Sequence, residues 1–133
     1  MAKSGGDWGG AGDAKTIFLG GSRNPDDSVQ KQEFLQLKLA NRHGLSTGAT
    51  GTGKTVSLQI LAEGFSDAGV PVFCADVKGD LSGLYASGEA KDFLAERAET
   101  IQFDDYEYGA FPTIFWDLFG KQGHPIRTTV AEM

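Results

Sequence analysis

The apolar positions of this chain change period several times, and each change predicts an element. Thr16-Ile17-Phe18-Leu19 is a short apolar run that reads as a strand, ended by Gly20-Gly21. Residues 22–28 are polar and contain Asn24-Pro25-Asp26, a turn signal. Over residues 29–39 the pattern partly alternates, and Leu35, Leu37 and Leu39 at period two predict a strand with one buried face. Residues 43–47 form a short strand-like run interrupted by Ser46-Thr47. The period then becomes helical over residues 54–68, with Val56, Ile60, Leu61, Phe65 and Ala68 near one face and Gly69 where a C′ glycine stops a helix. Gly64 lies inside this helix at a cost of about 1 kcal/mol relative to Ala, which hints at close packing there. Val70-Pro71-Val72-Phe73-Cys74-Ala75 is apolar throughout, as a buried parallel strand is, so residues 43–75 read as a βαβ unit. Farther on, residues 87–98 predict an amphipathic helix with Phe93 and Leu94 inward, residues 101–103 a third strand, and residues 104–110 a surface loop. Residues 112–116 are a further apolar run that ends at Asp117.

Composition narrows the class. A length of 133 residues allows one domain, with 40% hydrophobic and 23% charged residues as in an ordinary globular chain. Residues 1–15 are glycine-rich and nearly free of apolar side chains, and are expected to be a disordered leader. Residues 16–40 then form a short β element, and residues 41–133 the main domain. No stretch approaches a membrane span and no apolar h-region opens the chain, so neither a membrane partner nor a secretory signal is expected. Cys74 is the single cysteine and excludes an internal disulfide, which makes a cytoplasmic setting the default. The formal net charge is −6, and the 12 Lys and Arg residues are scattered, so this segment is not built to grip a nucleic-acid backbone by itself.

The candidate chemistry lies between the strand-like run and the helix. Gly48-Ala49-Thr50-Gly51-Thr52-Gly53-Lys54-Thr55 fits G-x-x-x-x-G-K-[ST], a phosphate-binding loop, in the strand–loop–helix setting that motif requires. Gly48, Gly51 and Gly53 permit positive φ and close approach of backbone to ligand. Successive N–H groups from Gly48 to Val56 form the anion cradle, and the helix adds its positive end. Lys54 can reach the β- and γ-phosphates, and the Thr55 hydroxyl can ligate Mg²⁺. A nucleotide with Mg²⁺ is therefore the expected cofactor, and Lys54 and Thr55 are the candidate catalytic residues. Asp76, at the carboxyl end of the second strand-like run, is a candidate nucleotide-proximal or Mg²⁺ contact, with a polar turn as the plain alternative.

Hydrolysis needs more than a cradle: an acid to hold Mg²⁺ and a further group to orient water. Two apolar runs end in an acid, at Asp76 and Asp117, and neither is followed by Glu. His43 and His124 read as structural, and no Cys/His cluster or G-x-S-x-G elbow offers other chemistry.

Beyond the loop, Asn41-Arg42-His43-Gly44-Leu45, GATGTGKT, VSLQILAEGFSDAGVPVFCADVKGDLSGL and FWDLFGKQGHPIRTTVAEM together resemble the HerA-like helicase family, within the HerA/FtsK group of P-loop ATPases. The resemblance spans residues 16–133. It implies an α/β P-loop NTPase fold of the RecA-like (ASCE) type with a parallel sheet, ATP binding, and a homo-oligomeric, hexameric ring. For better-understood relatives it implies nucleic-acid translocation, with DNA as partner of the full-length ring. Gly48 through Thr55 match the family's phosphate loop, and Asp76, Lys78, Gly79 and Asp80 its acidic turn. The family's Asp-Glu strand lies farther downstream, so the resemblance implies an N-terminal part of the family's length and a partial core. The capping-box pattern Thr129-Val130-Ala131-Glu132, with one residue behind it, carries the same expectation.

Two other readings stand beside this one. A small nucleotide-binding or kinase-like protein would use Asp76 or Asp117 to hold Mg²⁺. A non-enzymatic interaction module would keep the loop as a structural turn.

Overall fold

The computed structural model describes residues 2–3, 16–101, 103 and 107–126. The leader beyond residue 3 and the capping-box pattern at residues 129–132 lie outside them. The order of elements is β1 (Ala2–Lys3), β2 (Thr16–Arg23), β3 (Val29–Gln36), α1 (Lys54–Asp67), α2 (Asp92–Thr100), β4 (Glu107–Tyr108), β5 (Trp116–Asp117) and β6 (His124–Pro125). Short 3₁₀ turns cover Leu37–Leu39 and Ser82–Tyr85. The result is a mixed α/β structure with two helices and three two-stranded pairs among the described residues.

The β2–β3 hairpin is the largest sheet. It is antiparallel, with Thr16 opposite Gln36 and Phe18 opposite Phe34. Gly20-Gly21 does not end β2: Leu19 is left unmatched between Phe18 and Gly20, and the strand continues to Arg23 through this bulge. The hairpin turn is closed by the Asn24 N–H on the Ser28 carbonyl at 2.9 Å, while Asp26 Oδ1 accepts from the Ser28 N–H at 3.0 Å. β3 stops at Gln36, where the chain tightens into the 3₁₀ turn, so Leu37 and Leu39 are not strand residues.

Successive side chains of β2 point to opposite sides. Ile17 meets α1, and Phe18 packs on Phe34 (ring centroids 5.5 Å apart) and stacks on Phe103 (5.0 Å). The buried apolar residues are Ile17, Phe18, Ala62, Ala98 and Phe111. Gly64 explains the α1 contact. A Cβ built there would lie 2.5 Å from Ile17 Cγ2, so the glycine allows helix and strand to touch. The buried turn of α1 is Ala62, Glu63 and Gly64, and Val56, expected on the inner face, is 56% exposed.

α1 ends as its sequence predicts. Gly69 takes φ 77°, its N–H reaches the Ser66 carbonyl at 2.9 Å, and the Val70 N–H reaches the Phe65 carbonyl at 2.9 Å. This is a Schellman closure, and a left-handed residue is required for it. α2 begins five residues later than the periodicity suggests, at Asp92, and Phe93 points outward at 61% exposed while Leu94 is half-buried. Ile101 and Phe103 cap α2 rather than form a strand, with the Phe103 N–H on the Ala98 carbonyl at 2.8 Å.

The expected βαβ unit with a RecA-like parallel sheet is not formed among the described residues. Residues 43–49 and 70–76 have no regular secondary structure and are exposed, with Leu45 89% and Phe73 83% exposed, and neither segment belongs to a ladder. A strand exists only by pairing, and among the described residues β2 and β3 pair with each other and with neither segment. Among the described residues the one parallel pair is β5–β6, joined by a six-residue connection at residues 118–123. Among the described residues, no helix is long and apolar enough to cross a membrane.

Candidate nucleotide-binding site

The loop over residues 48–53 runs directly into α1, and Gly53 is the helix N-cap at φ 90° and ψ 14°. Gly51 is also left-handed, at φ 82°. Both conformations are strained for any residue with a Cβ. Gly48 is needed for a different reason: a Cβ there would collide with Thr52 Oγ1. That hydroxyl donates to the Ala49 carbonyl at 2.8 Å, and the Thr52 N–H reaches the same oxygen at 3.4 Å.

The Ala49 carbonyl also receives the Lys54 ammonium at 2.5 Å. Lys54 thus folds back over the loop, and both Lys54 and Thr55 are half-buried. Among the described residues, the N–H groups of Gly51, Gly53, Lys54, Thr55 and Val56 donate to no protein acceptor. The last three are the unpaired donors that open any helix. Unpaired donors beside the positive end of a helix suit an anion, so the residues present fit a phosphate group.

The two acids that end apolar runs do the same local job. Asp76 Oδ1 accepts from the N–H groups of Lys78 (3.0 Å) and Gly79 (2.9 Å), and Oδ2 from Leu81 (2.8 Å). Asp117 Oδ1 accepts from Phe119 (2.8 Å), and Oδ2 from Lys121 (2.6 Å) and Gln122 (2.9 Å). These hydrogen bonds, foremost from Leu81 and from Gln122, hold both carboxyls below the usual carboxylate range. Each side chain organises its own turn. No hydrogen bond or ion pair links either carboxylate to the phosphate loop among the described residues. Nor do those residues bring three His, Cys, Asp or Glu side chains together as a metal site.

Residues 76–81 are nevertheless tied to the loop's helix. Gln59 Nε2 donates to the Asp80 carbonyl at 3.1 Å, five residues along α1 from Lys54. That separation is about 7.5 Å along the helix axis. Gln59 has no signature in the sequence, because a polar residue on an amphipathic helix ordinarily faces water.

Comparison with known families decides what surrounds this loop. The family described as Helicase HerA-like C-terminal matches residues 21–133. The chain belongs to the HerA-like helicase family. HerA-like membership covers the loop, α1, the acidic turn and the β5–β6 segment alike, and it carries a P-loop NTPase and DNA-motor context for the site. No curated protein and no solved structure matched the HerA-like chain.

Proposed function

We propose that this chain is the ATP-binding segment of a HerA-like P-loop ATPase that, at full length, assembles a RecA-like core into a homo-hexameric ring and moves along nucleic acid. The observation that carries the reading is the glycine loop opening onto α1, with five backbone N–H groups free to take an anion, inside a HerA-like chain. Backbone donors from Gly48 to Val56 hold the phosphates. The Lys54 ammonium, now on the Ala49 carbonyl, would hold a phosphate oxygen, and the Thr55 hydroxyl would hold Mg²⁺. When bound, Mg-ATP supplies the phosphoryl group whose transfer to water drives movement. Asp76 shapes the neighbouring turn and holds it near the nucleotide through the Gln59 link. Because neither Asp76 nor Asp117 is followed by Glu, a water-orienting acid is not supplied by the described residues, and hydrolysis by this chain alone is negligible.

The test is calorimetric titration of the chain with Mg-ATP, beside Lys54→Ala, with circular dichroism to verify folding of both. Loss of one charge-assisted contact weakens binding by about 10- to 100-fold. A folded chain that binds no Mg-ATP, or binds it equally well without Lys54, defeats the proposal. Multi-turnover ATP hydrolysis by the purified chain would overturn the argument from the missing acid.

A further inference from the structure

A cavity of about 580 Å³ lies between β2, the inner face of α1, and α2. It falls within the roughly 300–1,000 Å³ of small-molecule sites. Ile60, Leu94, Ile101 and Phe103 make much of its wall apolar. Glu63 also lines it and is only 7% exposed, and its Oε1 has no hydrogen-bond partner among the described residues. A buried carboxylate oxygen without a donor is costly, and folded chains retain one where something supplies the donor. The cations on the opposite wall, Lys91 and Arg97, form no ion pair with it among the described residues. Glu89 on that wall and Asp67 one turn along α1 add further negative charge, and Gln59 and Tyr108 contribute the neutral polar groups of the lining.

We propose that this cavity binds a small organic cation, an ammonium group carried on an apolar body, with Glu63 as its counter-ion. The apolar body covers the Ile60–Phe103 wall, and the ammonium donates to Oε1. The cavity reaches the start of α1 through Val56 and Gln59, but no residue from 48 to 55 lines it and Glu63 has no part in the nucleotide reading. Burial raises the Glu63 carboxyl to about 7, against the opposing charge of the chain's own N-terminal ammonium and with Asp67 adding to the rise. Binding of a cation therefore strengthens as pH rises through that value.

The probe is 3-phenylpropylamine, compared with the neutral 3-phenyl-1-propanol, each titrated into the chain at pH 8 and pH 6 with binding read by NMR shift changes at β2 and α1. At pH 8 the amine binds about tenfold tighter than the alcohol, the worth of one charge-assisted hydrogen bond. At pH 6 this preference shrinks, although the amine stays protonated. Glu63→Gln, which keeps size and shape, removes the preference and its pH dependence while leaving alcohol binding in place. Equal affinity of amine and alcohol for the native chain, binding of neither, or a preference that survives in Glu63→Gln would each overturn the proposal. The first two outcomes are read on the native chain and do not depend on how the variant folds.

Discussion

Gly64→Ala tests the packing of α1 on the hairpin and gives a sign that propensity alone gets wrong. In an exposed helix interior this change stabilises by about 1 kcal/mol. Here the new methyl would stand 2.5 Å from Ile17 Cγ2, 2.9 Å from Cγ1 and 3.1 Å from Cδ1. Ile17 cannot step aside cheaply, because it is β-branched, 4% exposed and anchored in β2 opposite Leu35. Overpacking of this kind costs about 1–3 kcal/mol, so the net change is a destabilisation of up to about 2 kcal/mol. Truncating the partner, Ile17→Ala, removes all three of those atoms. In that background Gly64→Ala should recover its helical advantage and stabilise by about 1 kcal/mol. Urea unfolding followed at 222 nm, on both singles and the double, measures the cycle. If Gly64→Ala stabilises the native background as much as the Ile17→Ala background, the close contact does not exist and the account of Gly64 is wrong.

Three further outcomes are expected. Stability should fall as pH rises from about 4.5 to about 7, because over that range folded Glu63 keeps a proton that the unfolded chain releases; solvent screening holds the drop below about 3 kcal/mol, and Glu63→Gln should flatten it in pH-dependent urea titrations. Asp76→Ala should loosen residues 76–81 and speed protease cleavage there, and the stabilising contribution of Asp76, whose carboxyl is held low, should be lost as pH falls through its folded value; unchanged cleavage would mean the three backbone contacts hold nothing together. Gly53→Ala should cost about 1 kcal/mol, since it forces a Cβ into a left-handed N-cap at φ 90°, and a melt as stable as the parent's would show that this backbone relaxes freely.

What the sequence made legible was local. α1 was readable at both ends because a glycine loop, a helical period and a C′ glycine are written into consecutive residues. Gly64 signalled its contact because a glycine in a helix is unfavourable without one. The runs at residues 43–47 and 70–75 do not form the expected strands for the opposite reason: their apolar character is local, but strand formation requires a neighbour that sequence spacing cannot supply. Gly20-Gly21 looked like a stop, and the pairing with β3 carried the strand through. Asp76 could be located but not interpreted, since only geometry shows that its oxygens are taken by Lys78, Gly79 and Leu81. Glu63 was overlooked. It stands three residues after Ile60, on the face that packs inward, and that spacing was the available clue.

The segments outside any sheet on either side of α1 have a thermodynamic consequence. Residues 43–49 lead into the phosphate loop and residues 70–76 leave the other end of the same helix, each with backbone donors and acceptors outside any ladder. Whatever strand pairs with them immobilises the loop at the same moment. The entropy of ordering that loop is then spent once, by pairing or by anion binding, and whichever comes second is relieved of it. The two events are therefore linked with a single coupling constant: a nucleotide that favours sheet assembly by some factor must be bound more tightly, by that same factor, once the sheet has assembled.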